Sequence, residues 1–137
     1  MNTVQEFKLK LQNGITICSD LSESEVATVH DVNQRDMKNG YIWYKFPPIE
    51  LNGEIVVFNL CFFQSQMQSL SISLSNPEKY GGSWSDFSES KEKLRAKDTE
   101  KWLSNIGHKV GKYSWGNIWA GYDSKGGFGH AVVSYAL

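Results

Sequence analysis

The dipeptide Asn52-Gly53, set between two apolar runs, constrains the fold of this chain more than any other feature. A type I′ hairpin turn needs φ > 0 at both central residues, and Asn followed by Gly reaches that region at the least steric cost. The turn predicts a hairpin joining YIWYKFPPIEL (41–51) to EIVVFNLCFF (54–63). In the first run Tyr41, Trp43 and Lys45 share one face, and Ile42, Tyr44 and Phe46 share the other. Pro47-Pro48 removes ladder donors there, which predicts a bend or an edge. The second run is nearly all apolar, as expected of a central strand covered on both faces. A third strand follows in MQSLSISLS, where Leu70, Ile72 and Leu74 alternate with Ser69, Ser71, Ser73 and Ser75. Period two with serine outward reads as a half-buried antiparallel strand.

The flanking segments extend or cover this meander. Phe7, Leu9 and Leu11 alternate with Lys8, Lys10 and Gln12, then Asn13-Gly14 leads to Ile15 and Ile17, which predicts a second Asn-Gly hairpin. Ser22 and Glu25 fit a capping box, with Leu21 and Val26 as its hydrophobic staple. A short helix over 23–31 is expected, turning Val26, Val29 and Ala27 inward. Residues 33–40 are polar, end in Asn-Gly and read as a loop. After the meander, Asn76-Pro77 and Gly81-Gly82 mark turns, and 83–107 reads as the principal helix. Ser85 is its expected cap, Asp86 and Glu89 suit the positive N-terminus, and Gly107 supplies the left-handed stop. Its buried stripe is expected to hold Phe87, Leu94, Asp98 and Trp102, extended by Leu103 and Ile106. YSWGNIWAGY and GHAVVSYAL flank residues 123–127, predicting a last hairpin with a five-residue loop. The resulting fold class is α+β: a mainly antiparallel sheet of about six or seven strands, with one short and one long helix.

A chain of 137 residues is expected to form a single domain over 1–137. The net charge of −1 supplies no global field that would draw it onto nucleic acid or an anionic membrane, so neither is an expected partner. Charge is nonetheless uneven: residues 1–90 carry 6 basic and 11 acidic side chains, and 91–112 carry 7 and 3. Solvated helix faces account for that division. Cys18 and Cys61 lie in strand-like runs without metal-ligand spacing and are expected as buried free thiols. No apolar run approaches the ~20 residues of a membrane span, and MNTVQEFKLK lacks the apolar core of a signal peptide. The expected address is cytoplasmic.

Chemical motifs are few. His30, His108 and His130 are far apart and none has a second ligand two to four residues on, so no metal or other cofactor is expected. The segment from Gly111 through Ser114 to Gly116 has one residue too many for G-x-S-x-G. Gly121 to Gly129 is glycine-rich but lacks the Gly-Lys-Ser/Thr end of a phosphate loop. Asp98 and His130 are the titratable pair that a catalytic argument would use, since a buried Asp–His pair can perform general acid–base work. The alternative for Asp98 is structural, accepting hydrogen bonds within the fold. No residue is assigned as catalytic. Trp84, Trp102, Trp115 and Trp119, with Tyr80, Tyr113 and Tyr122, all fall from residue 80 onward. Under strand alternation Tyr113, Trp115 and Trp119 share a face, and rings on an uncovered face would form a recognition surface.

The pattern Tyr80-Gly-x-x-Trp84-x-Asp86-Phe87-Ser-Glu89, then Trp102-Leu103, then Tyr113-Ser-Trp115-Gly116-x-Ile118, then Tyr122-Asp123-x-Lys125-Gly126 resembles a group of small bacterial α+β proteins. It covers about residues 79–128 and contains no catalytic motif, so the group implies no active-site residue. In size and style the chain is also similar to the immunity proteins that neutralise bacterial toxins. That resemblance implies a non-catalytic protein-binding module, an immunity-type inhibitor whose partner is a cognate toxin. Trp115, Trp119 and Tyr122, beside glycines, are the aromatic candidates for partner binding, and Asp86 and Glu89 are the acidic ones. The alternative is a small enzyme or ligand-binding protein with Asp98 and His130 lining a pocket.

Overall fold

Asn52 and Gly53 take φ of +48° and +83°, so the type I′ turn forms where the sequence places it. The computed structural model describes residues 5–136, the Trp84 side chain excepted; residues 1–4 and Leu137 lie outside the described residues. In chain order the elements are β1 (Leu9–Lys10), β2 (Thr16–Ile17), α1 (Glu23–Ala27), β3 (Asn33–Asp36), β4 (Tyr41–Lys45), β5 (Ile49–Leu51), β6 (Glu54–Phe63) and β7 (Gln66–Leu74). They continue with α2 (Pro77–Tyr80), a 3-10 turn at Trp84–Asp86, α3 (Glu89–Asn105), β8 (Gly111–Tyr113), β9 (Gly116–Asp123) and β10 (Phe128–Tyr135).

The fold is α+β with antiparallel sheets, as the sequence predicts. The main sheet runs β3-β4-β6-β7-β10-β9-β8, and β5 continues the β4 edge of β6 beyond the Pro47-Pro48 break. It has eight strands, against about six or seven expected in all. β1 and β2 form a separate two-stranded sheet, the Pro47-Pro48 break splits off β5, and two further strands appear. Residues 33–36, expected as loop, form the edge strand β3, whose four residues are all exposed and so carry no hydrophobic period. The segment expected as one strand turns at Ser114-Trp115, pairing Tyr113 with Gly116 and dividing β8 from β9. The last hairpin pairs Asp123 with Phe128, so its loop is four residues, not five.

The sheet consists of two meanders, 33–74 and 111–135, joined along one seam where β7 pairs β10 from Ile72–Ala131 to Ser69–Ser134. Residues directly opposite in an antiparallel pair point to the same face. One face therefore gathers Tyr44, Phe58, Leu60, Leu70, Ile72, Ala131 and Val133, all buried. Helix α3 lies on this face across β7, β10 and β9. The N-terminal hairpin and α1 cover the same face further along: Tyr135 Oη donates to Phe7 O at 2.8 Å and Tyr44 Oη donates to Glu23 Oε2 at 2.5 Å. Burial and the Glu23 carboxylate push the Tyr44 phenol up to about 12. The expected capping residue Ser22 accepts from Glu25 N, but α1 stops at Ala27, which is exposed.

Helix α3 docks by a different stripe from the one expected. Its cap is Ser88, which accepts from Lys91 N, rather than Ser85, so Phe87 precedes the helix and is 43% exposed. Leu94 is 38% exposed, and the inward positions are Glu92, Ala96, Thr99, Trp102 and Leu103. That row keeps helical spacing but begins with polar or small residues, which hid it from a hydrophobic reading. The polar members have a task at the seam. β7 and β10 stop pairing after Ile72–Ala131, so Leu74 and Gly129, the next opposed positions on that face, lack partners across the seam. Gly129 N donates to Glu92 Oε1 at 3.0 Å, Arg95 Nη1 donates to Leu74 O at 2.9 Å, and Leu74 N donates to Thr99 Oγ1 at 3.3 Å. Helix side chains thus take over the ladder, as buried backbone groups require. The helix ends on Gly107 (φ +98°), with His108 N donating to Leu103 O and Gly107 N to Ser104 O, a Schellman motif.

Candidate functional site

All covering elements lie on one side of the sheet, and among the described residues no helix or strand covers the other. β6, expected to be covered on both faces, is covered on one: Ile55, Val57, Asn59, Cys61 and Phe63 form its outward row. Beside that row, β7 presents Ser69, Ser71 and Ser73, and β10 presents His130, Val132 and Ser134. Trp43 stands towards one margin and Trp119 towards the other. The result is a hydroxyl and amide floor crossed by apolar rows, with an indole at each side.

Trp119 is 45% exposed. Its indole lies over Gly121, where a Cβ would come within 2.6 Å of Cζ2, and meets His130 edge-on at 5.8 Å. Gly121 thereby leaves room for the ring to lie along the strand, and Phe128 packs on the far side of His130 at 4.3 Å.

The five residues expected to bind a partner do not share a surface. Trp119 alone is on the uncovered face. Trp115 sits in the β8–β9 turn, half-buried, stacked on Tyr113 at 5.2 Å and touching Tyr135 at 5.8 Å. The turn breaks the alternation that would have put Tyr113, Trp115 and Trp119 on one face. Tyr122 lies on the helix side, with Lys93 Nζ 5.8 Å from its ring centre, and Lys93 pairs with Glu89 at 3.0 Å. Tyr122 and Glu89 are therefore joined through Lys93 at the start of α3. Asp86 is exposed in the 3-10 turn and accepts from Gly82 N and Ser83 Oγ at 3.4 Å each.

Asp98 and His130 do not meet. Asp98, on α3, accepts from Tyr80 Oη at 2.7 Å and pairs with Lys79 Nζ at 2.8 Å, while His130 points from the opposite face of the sheet. Burial alone would raise the Asp98 carboxyl, but hydrogen bonds from Lys79 and Tyr80 outweigh it and hold the group below the ordinary carboxylate range. A pocket lined by both residues is thus ruled out by the topology. His130 instead has Ser71, with Oγ 2.6 Å from Nδ1, a contact resembling that of a nucleophile and its base. β7 is paired on both sides at Ser71, so the backbone N–H groups there belong to the ladders and offer no oxyanion donors. Among the described residues, no three His, Cys, Asp or Glu side chains converge as metal ligands, and no helix is long and apolar enough to cross a membrane. Cys18 and Cys61 are free thiols, the first half-buried and the second buried.

Burial lowers the pKa of both His108 and His130, with Asp123 partly opposing the shift at His130. Each ring binds a proton more readily in the unfolded chain, so stability falls as pH drops below about 6.5. Denaturation midpoints should decrease between about pH 7.5 and about pH 5.5, and His130→Gln should flatten that slope. An equally steep slope in the variant would place the proton uptake elsewhere.

No family model, curated protein or solved structure matches this chain.

Proposed function

We propose that this chain is a non-catalytic protein-binding module, an immunity-type inhibitor that neutralises a bacterial toxin by masking it. The carrying observation is the outward row of β6, whose sequence suits a strand covered on both faces but which has cover on one. Ile55 is 41% exposed there, with half-buried Val57 beside it and half-buried Phe63 at the far end of the row. A partner that closed over this face would complete the burial, and Trp119, Trp43, Met37 and Arg35 are the residue types enriched in such interfaces. The proposed docking surface keeps Trp119 from the sequence expectation. It leaves Trp115 to packing and sets Tyr122, Asp86 and Glu89 outside the contact.

Co-expression with the product of the adjacent gene, followed by affinity capture, tests the reading. Trp119→Ala should cost about 2 kcal/mol or more of binding, with folding stability lowered by only about 1 kcal/mol. Capture that survives Trp119→Ala but is lost in Asp86→Asn or Glu89→Gln would move the docking surface to the start of α3. A wild-type chain that retains no partner would end the immunity reading.

A further inference from the structure

The uncovered face holds a depression of about 420 Å³, between β3, β4 and β6, lined by Asn33, Arg35, Met37, Trp43, Lys45 and Asn59. The register sets Arg35 opposite Trp43 and Asn33 opposite Lys45. The two cations are therefore diagonal neighbours across the ladder, with Cα atoms roughly 7–8 Å apart by strand geometry. No acid lines the depression. Neither Arg35 nor Lys45 makes an ion pair among the described residues, as is true of most of the chain's cations, so both heads are available to a ligand. On the floor, Asn59 Oδ1 is buried without a hydrogen-bond partner among the described residues; as an acceptor it cannot bond a carboxylate, so the two cations alone would hold the anion.

We propose that this depression recognises a carboxylate in an acidic segment of a protein partner. The Arg35 fork and the Lys45 ammonium hold one Asp or Glu side chain, and Trp43 with Met37 takes its apolar neighbour. The inference rests on reading the uncovered face as a docking surface, and it adds what the partner presents there. A planar guanidinium suits a bidentate carboxylate, and a second cation beside it adds charge without competing for the same geometry. Exposed pairs of this kind are screened by salt, so they steer and select, and they strengthen when the partner closes over them. A phosphodiester strand is the poorer occupant. It needs a track of cations, whereas beyond this pair the face is mostly serine, asparagine and apolar side chains, with Glu50 on it beside Ile55.

The direct test titrates the isotope-labelled full chain with two acetylated tripeptide amides, Leu-Glu-Leu and Leu-Gln-Leu. The indole N–H of Trp43 and the guanidinium N–H of Arg35 report by NMR. The Glu peptide should shift both resonances, whereas the Gln peptide should leave Arg35 unmoved and shift Trp43 only weakly through its leucines. Arg35→Gln and Lys45→Gln should each weaken the response by about two- to fivefold. Equal responses to both peptides, shifts confined to another surface, or a stronger response to oligothymidylate would overturn the proposal. The adjacent gene product separates this inference from the reading beneath it. Capture lost in the Arg35→Gln/Lys45→Gln chain supports the carboxylate site. Capture unchanged there but lost in Trp119→Ala overturns the site and leaves the docking face standing. If the wild-type chain captures nothing, the inhibitor reading fails, and the peptide titration alone then decides the site.

Discussion

Trp102→Ala is expected to lower the stability of the fold by about 3–5 kcal/mol. Trp102 is 6% exposed on the inward row of α3, one residue before the fully buried Leu103. Removing the indole leaves a cavity that the helix cannot fill, because its backbone is already tied to the seam through Glu92, Arg95 and Thr99. The indole Nε1 has no hydrogen-bond partner among the described residues, so packing rather than bonding carries the effect. Trp102→Phe should therefore recover most of the loss. Equilibrium denaturation of the three chains checks this, and a Phe variant as unstable as the Ala variant would show that the indole nitrogen has a bonding role.

Gly129→Ala should be comparably damaging, through excess rather than deficit. A Cβ at this position would lie 1.8 Å from Glu92 O and 2.9 Å from Ala96 N, both helix backbone. Neither can swing aside as a flexible side chain would, so α3 must lift from the sheet as a unit. Lifting it also lengthens the bonds to Gly129 N and to both backbone groups of Leu74. A loss of about 3 kcal/mol or more is expected. Gly82→Ala is the control, since its Cβ would meet only Pro77 at an ordinary 3.5 Å, and it should change stability by less than about 0.5 kcal/mol. Similar midpoints for the two variants would mean that α3 does not rest on Gly129.

The same helix shows what could and could not be read in the sequence. The meander was legible because Asn52-Gly53 fixes a turn and the strand after it alternates, and both signals are local. The burial of Trp102 was legible for its size. The docking stripe was not, because Glu92 and Thr99 face inward to complete a ladder in strands far away in the chain. Edge strand β3 was invisible for the opposite reason: all four of its residues are exposed, so hydrophobic periodicity has nothing to report. The candidate site combined both difficulties. Tyr41, Trp43 and Lys45 could be placed on one face from their spacing, but Arg35 and Asn33 join them only through the β3–β4 register. That the face is left bare depends on where every helix goes. The pairing of Asp98 with Tyr80 and Lys79 and of His130 with Ser71, on opposite sides of the sheet, is likewise topology rather than pattern.

The seam between β7 and β10 also governs the order in which the chain can assemble. Within each meander every strand pairs a near neighbour in sequence, so those ribbons close over short loops at small entropic cost. The seam joins Ile72 to Ala131 with all of α3 between them, and that closure is the costly one. Helix docking and seam closure support each other, because Leu74 and Gly129 both take hydrogen bonds from the helix at the point where the strands part. Until then the first ribbon ends in an unpaired β7 edge beside the bare apolar row of Leu70, Ile72 and Leu74, the arrangement that invites strand addition from another chain. Helix α3 and β10 remove that hazard together: the helix stripe covers the row and caps Leu74 through Arg95 and Thr99, while β10 pairs the edge from Ser69 to Ile72.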